Sequence, residues 1–214
     1  MAIISFDYNF IFIKTRKTAG TSIEVDLSQY VEQNAIVTPI LPLVEGHSAR
    51  NFQNEQGEIL YFNHMSASQI RERLGIEKFT SMFKFCIERD PITKSISHYH
   101  MYQNSPFHNK DGIKQTWDAY CEAKNYPTDH NKYSEIIDGK ITPIIDKFIP
   151  YESLHKDLPV LLASLGLENF TLKSQAKSNY SKNVLIRPNE VTENQRSQII
   201  EAFEKTLAVT GLYS

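Results

Sequence analysis

Residues 9–22 read NFIFIKTRKTAGTS, and the rest of the chain is read outward from them. Phe10-Ile11-Phe12-Ile13 is an apolar run of β-branched and aromatic residues, the pattern of a buried strand. Lys14 to Ser22 is a short basic turn that closes on glycine and hydroxyl residues. Beyond it Ile23, Val25 and Leu27 alternate with polar residues, but Thr21 or Ser22 would cap a short helix equally well. A strand that feeds a tight basic loop and then a helix N-terminus can hold an anion. The loop and first-turn N–H groups lack intrahelical partners, and the helix dipole adds positive potential there. Lys17 supplies a point charge, and Thr18, Thr21 and Ser22 supply hydroxyl donors. The candidate anion loop is therefore Arg16, Lys17, Thr18, Ala19, Gly20, Thr21 and Ser22. It is not a Walker A loop, because Lys17 precedes the loop's glycine, Gly20, instead of following a second one. The plain alternative is a basic surface turn. The anion reading is preferred because cations, hydroxyls and a glycine fall together where strand gives way to helix.

A length of 214 residues fits one domain with a full core, or two small ones. With 41% hydrophobic and 22% charged residues the composition is that of a soluble globular protein. The formal net charge of -2 argues against a protein built to coat nucleic acid or an anionic membrane, so any anion must be met by a local cluster. Cys86 and Cys121 form no metal-ligand pattern and read as reduced core thiols. Asp7 and Asn9 interrupt the N-terminal apolar stretch, so no signal peptide is read, and no run approaches a transmembrane span. The expectation is a cytoplasmic protein.

Ala35 to Val44, with Pro39 and Pro42, reads as an extended segment or edge strand. Asn54 to Gly57 reads as a hairpin turn and Glu58 to Phe62 as a short strand. Ser66, with Gln69 three residues on, predicts a helix start, and Gly75 its stop. His64 then sits on a strand-to-helix corner, where a side chain reaches an open cleft. Thr80 to Ile87 is the second strongly apolar strand, followed by Glu88-Arg89-Asp90-Pro91 and a helix over Ile92 to Tyr102. This repeats the opening logic of buried strand, charged corner and helix. Arg89 offers a bidentate fork suited to phosphate, and Ser97 lies two turns along the helix; a local Arg89–Asp90 ion pair is the alternative.

The pair IFIKTRKTAGTS and FCIERDPITKSISHYHMY resembles the two cofactor motifs of the sulfotransferase superfamily, in particular its carbohydrate branch, which includes the heparan sulfate O-sulfotransferases. The resemblance implies that the first loop holds the 5′-phosphosulfate of PAPS (3′-phosphoadenosine-5′-phosphosulfate) through Lys17. It implies that Arg89 and Ser97 bind the 3′-phosphate. Arg16 stands where the family usually has proline, which makes the loop entry less rigid. Asn63-His64-Met65-Ser66 resembles the segment that carries the family's general-base histidine, so His64 is the implied base. Phe148 to Leu154 followed by an apolar helix over Leu158 to Leu165 resembles the family's YE-x-L strand and helix. Lys173 to Asn183, KSQAKSNYSKN, sits where relatives have a loop over the 3′-phosphate; Lys177 and Ser178 stand out there, with a solvated loop as the alternative.

The expected fold is a single P-loop-like α/β domain over residues 1–214, a central, mostly parallel sheet flanked by helices with the cofactor at the carboxyl ends of the strands. Residues 104–143 read as a helical or loop insert near the acceptor, with Trp117 and Tyr120 on a short helix. The last helix, Glu193 to Val209, has a capping box at Thr192 and Gln195. The implied reaction moves a sulfuryl group from PAPS to a hydroxyl acceptor, leaving PAP; the resemblance points to a saccharide, with a lipid or small metabolite equally open. Lys17 steadies the leaving phosphate and His64 takes the proton; no metal is required. His98 and His100, at i and i+2 on one helix, make a poor pair. The rivals are a nucleotide kinase or NTPase built on the same strand–loop–helix, and a catalytically idle nucleotide-binding module.

Overall fold

The computed structural model of the chain describes residues 2–174 and 183–213. Ala2–Ser5 (β1) and Phe10–Ile13 (β2) form an antiparallel pair in which all eight residues are buried. Ile36–Val37 (β3) pairs antiparallel with β1 on its other side. Phe83–Glu88 (β4) lies parallel to β2, and Lys147–Pro150 (β7) parallel to β4. A separate hairpin, Ser134–Ile137 (β5) with Lys140–Pro143 (β6), precedes β7. Among the described residues the main sheet has the order β3-β1-β2-β4-β7, and β1 is the strand that runs against the other four.

Both faces of this sheet are covered. Phe10 and Phe12 point to one side, where they pack with Ile23 and Leu27 of Gly20–Leu27 (α1) and Leu158 and Leu162 of Leu154–Ser164 (α7). Ile11 and Ile13 point to the other side, onto Ile70 of Ala67–Leu74 (α2) and onto Tyr133. The two-residue alternation of a strand thus divides one apolar run between two cores, which is why it reads as continuous rather than alternating. Burying each such side chain contributes about 1.5–3 kcal/mol. A third core joins Ile92, Ile96 and Tyr99 of Pro91–Asn104 (α4) to Trp117 and Tyr120 of Trp117–Glu122 (α5) and to Ile199 and Phe203 of Glu193–Thr210 (α8). This is the expected α/β architecture. Among the described residues no helix is long and apolar enough to cross a membrane.

Local capping signals are realised as read. Ser66 and Gln69 form a capping box on α2, Thr192 and Gln195 form one on α8, and Pro91 opens α4. Cys86 and Cys121 are buried and free. Several boundaries differ. Glu58 to Phe62 is not a strand; Ile59 makes a single bridge to Gln53, because no sheet edge is there to pair with. Of Ala35 to Val44 only Ile36–Val37 is strand, since Pro39 and Pro42 remove the donors needed to extend it. Thr80 and Ser81 end a short helix, Ile76–Ser81 (α3), instead of starting β4. Within residues 104–143 the insert holds α5, the single turn His130–Tyr133 (α6) and the β5–β6 hairpin.

Candidate active site

Strands β2, β4 and β7 are mutually parallel, so their carboxyl ends meet at one edge of the sheet. The residues that follow each strand form the site: Lys14 to Ala19, then Arg89 and Asp90, then Tyr151. The first of these is held from inside. Thr15 donates its hydroxyl to the Ile87 carbonyl on β4, and Thr15 and Thr18 bond to each other at 2.9 Å. The Thr18 side chain is therefore buried, its hydroxyl bonded within the loop. Lys14 is buried too, its Nζ donating to Thr21 Oγ1 at 3.1 Å and to the fully buried Glu24 carboxylate at 2.7 Å. Its stem crosses Gly20, where a Cβ would lie 2.6 Å from Lys14 Cγ and 2.8 Å from Cε. Glycine is required there by close approach, not by backbone angle.

Lys17 and Ala19 adopt left-handed backbone angles, φ 62° and 58°. That turns the chain sharply into α1, whose first internal bond runs from Ile23 N–H to the Ala19 carbonyl. No side chain caps this helix. Its opening N–H groups therefore precede the ladder, and Ala19 at the N-cap position has no side-chain oxygen to receive them.

Arg89 reaches across to the same loop. Its Nη1 donates to the Lys17 carbonyl at 3.2 Å and its Nε to Thr93 Oγ1 at 3.1 Å, while the guanidinium lies 4.2 Å from the Tyr151 ring centre. Burial lowers its affinity for the proton from the ordinary arginine value. Asp90 does not pair with it; that carboxylate caps α4 by accepting from Thr93 N–H at 2.8 Å. Ser97 lies four residues beyond Thr93, hence on the same face of α4, and is half-buried. Lys177 and Ser178 lie outside the described residues.

Arg16 is directed differently. Its backbone N–H and Nε donate to the two oxygens of Asp129 at 2.7 and 2.9 Å, and Nη2 donates to the Thr128 carbonyl at 2.9 Å. The guanidinium thus joins the loop to the insert. Asp129 is fully buried and shared: Lys94 Nζ lies 3.1 Å from its Oδ2 and also bonds Glu88, both of them fully buried as well. Tyr133 donates to the second Glu88 oxygen at 3.0 Å. Burial opposes charge on Lys94, but Glu88 and Asp129 outweigh it and hold the ammonium above its usual value. Burial likewise opposes charge on Asp129, and Lys94 and Arg16 overcome it and hold the carboxyl low. Glu88 is raised, by burial first and then by Asp129. Two cations and two carboxylates balance beneath the loop. Sequence reasoning missed Glu88, Lys94 and Asp129; the spacing of Glu88 and Lys94 around the Arg89 corner was the available signal, and Asp129 had none.

The histidines separate by environment. His64, itself at φ 59°, places Nδ1 3.4 Å from the Lys14 carbonyl. A carbonyl only accepts, so this long contact puts the proton on Nδ1 and the lone pair on Nε2. Burial, then nearby positive charge including Lys14, lowers its pKa to about 3. Lys132, donating to the His64 carbonyl at 2.7 Å, ties this turn to α6. His100 Nε2 accepts the backbone N–H groups of Leu185 and Ile186 and is a structural bridge. His98 bonds Tyr120 through Nδ1 at 3.0 Å, so the two imidazoles do face apart.

A cleft of about 630 Å³ adjoins the loop at Arg16. His98, Tyr102, Gln103, Tyr120 and Tyr126 line it from α4 and the insert. His64 is not part of its wall among the described residues. Residues of the 104–143 insert form one side of this cleft, next to Arg16.

No known protein family matches the chain. An uncharacterized protein of Archaeoglobus fulgidus is similar to it, 28% identical over 125 residues that cover 55% of this chain and 98% of that protein.

Proposed function

We propose that this protein is a PAPS-dependent sulfotransferase acting on a hydroxyl acceptor in the cytoplasm. The observation that carries the reading is the convergence, at one sheet edge, of an uncapped helix N-terminus, the Lys17 loop and Arg89, whose Nη1 lies 3.2 Å from the Lys17 carbonyl. Backbone N–H groups, an ammonium and a guanidinium are a donor set for phosphate and sulfate oxygens. The chemistry that PAPS supplies is a sulfuryl group, whose bond to the 5′-phosphate oxygen breaks, the electron pair staying there, as a bond to the acceptor oxygen forms. Lys17 and the loop N–H groups meet the charge that grows on that phosphate. Arg89, braced by Tyr151 and Thr93, and Ser97 on the same helix hold the 3′-phosphate end. His64, carrying its lone pair on Nε2, takes the acceptor's proton. The buried Glu88–Lys94–Asp129–Arg16 network keeps the loop in its left-handed turns, a form of preorganisation.

Calorimetric titration with PAP, with ATP and ADP as controls, tests this. Micromolar PAP binding that is lost in Arg89→Ala supports the reading. Preference for ATP with Mg²⁺ sinks it in favour of a nucleotide kinase, and tight PAP binding without transfer to any acceptor favours an idle binding module.

A further inference from the structure

Resting on the sulfotransferase reading, we infer that Tyr213 is a positioning residue: its hydroxyl holds the Glu152 carboxylate off Arg89, so that the guanidinium stays open to a phosphate. Three acids stand around the Arg89 corner: Glu88 and Asp90 on either side of it in the chain, and Glu152 after β7. Burial lowers the proton affinity of Arg89, and Tyr151, Glu152 and Asp90 oppose that, so Glu152 lies within its electrostatic reach. A guanidinium among carboxylates ordinarily pairs with one, and a paired fork is a poor receptor for phosphate. Yet among the described residues no carboxylate makes an ion pair with Arg89. Each acid is taken by another donor. Asp90 accepts the Thr93 N–H at 2.8 Å. Glu88 accepts from Lys94, from Tyr133 at 3.0 Å and from the Arg89 backbone N–H at 3.1 Å. Glu152 accepts from the Tyr213 hydroxyl. Arg89 itself uses Nε on Thr93 and Nη1 on the Lys17 carbonyl, which leaves Nη2 with no hydrogen-bond partner among the described residues.

The three restraints differ in kind. Asp90 is fixed by its own helix, and Glu88 is fully buried among its donors. Glu152 is exposed, one residue past the Tyr151 ring that lies 4.2 Å from the guanidinium, and Tyr213 is its one hydrogen-bond donor among the described residues. The chain is shaped to deliver that hydroxyl across 61 residues. Gly211, at φ 62°, ends α8, its N–H donating to the Leu207 carbonyl at 2.9 Å, and Tyr213 itself stands at φ 61°. A left-handed angle is costly for tyrosine and persists where surrounding contacts enforce it. The contacts here are the Glu152 carboxylate and the Glu88 carbonyl, whose oxygen lies 3.2 Å from the same hydroxyl. Burial, and then the bond to Glu152, raises the Tyr213 pKa, so the phenol remains a donor at neutral pH.

A double-mutant cycle tests this, with PAP titrated calorimetrically into the full chain as wild type, Tyr213→Phe, Glu152→Gln and the double variant. Tyr213→Phe removes the donor and keeps the ring, so Glu152 turns to Arg89 and competes with the phosphate. PAP affinity is expected to weaken about fivefold in Tyr213→Phe, the upper range for a surface ion pair that the ligand must displace. Glu152→Gln should then raise affinity more in the Tyr213→Phe background than in wild type, where the acid is already restrained. Unchanged PAP affinity in Tyr213→Phe overturns the inference. So does an additive cycle, which would mean that the phenol supports the fold and does not restrain the acid. Labelling of Arg89 by phenylglyoxal, read from the mass of its peptide in the ligand-free proteins, is expected to slow in Tyr213→Phe and to recover in the double variant. If wild type does not bind PAP, the sulfotransferase reading fails and labelling alone decides: the same pattern keeps the restraint on Glu152, and equal rates in all four proteins reject it.

Discussion

One carboxylate, Asp129, grips Arg16 twice: Oδ2 lies 2.7 Å from the backbone N–H and Oδ1 lies 2.9 Å from Nε. A loop that presents its N–H groups to an anion must not collapse onto its own side chains. Here an internal acid fixes Arg16 in the loop, and Lys94 keeps that acid ionised.

Asp129→Ala should therefore cost stability as well as binding. Removing one partner of a buried ion pair costs about 3–5 kcal/mol, because the remaining charges stay buried. Asp129→Asn, which keeps an acceptor for the Arg16 N–H, should cost less. Urea unfolding gives the two values, and PAP affinity should fall in the same order. A loss of less than about 1 kcal/mol in Asp129→Ala would show the network to be dispensable.

Gly20→Ala offers a second check on the loop. In an exposed helix alanine gains about 1 kcal/mol over glycine. Here the new methyl meets the Lys14 stem at 2.6 Å, and displacing it strains the bond to Glu24. Net destabilisation of about 1–3 kcal/mol is expected. A double-mutant cycle with Lys14→Ala should be non-additive, since the clash disappears with the stem; additivity would rule out this contact as the cause.

His64→Ala separates chemistry from binding. Turnover should fall by about 10²–10⁴, the usual effect of losing a positioned base, while PAP affinity stays within about twofold. A parallel loss of PAP affinity would assign His64 to the cofactor site instead.

Acid should unfold the protein earlier than its carboxylates alone require. Burial holds both His64 and His98 at about 3, well below the ordinary value near 6.5. A group depressed in the folded state gives stability that is complete above its unfolded pKa and is lost as pH falls toward the folded one. Each of these histidines should thus remove up to about 1.4 kcal/mol per pH unit between roughly 6.5 and 3. Replacing His98 with Asn should flatten the slope of unfolding free energy in that window. An unchanged slope would mean that His98 is already protonated in the folded protein.

Features confined to a few neighbouring residues were legible in the sequence. The Phe10–Ile13 strand, proline opening α4 and the capping boxes at Ser66 and Thr192 all follow from local patterns. The strand-to-helix corners at Lys14 and Glu88 were also readable, because both carry the same local pattern, but the bond from Arg89 to the Lys17 carbonyl was not. Features that depend on a distant partner were not. Ala2–Ser5 is a strand because β2 and β3 flank it, while Glu58 to Phe62 has an equally suitable composition and no edge to join. Lys14 belongs by sequence to the basic turn, yet Glu24 draws it inward. Arg16 reads as part of the anion loop, and nothing local signals that Asp129, in the least patterned part of the chain, pairs with its guanidinium.

The distance in sequence between Arg16 and Asp129 bears on the order in which the site comes into being. Strand β2, the loop and α1 all precede, in the order of synthesis, the β4 carbonyl that accepts from Thr15 and the Asp129 carboxylate that accepts from Arg16. A Walker-type loop is set by its own glycines soon after it emerges. This one awaits closure of a contact 113 residues apart, and such non-local contacts form late. A nascent chain halted before residue 129 would carry the whole loop and still lack the contact that fixes Arg16 in it.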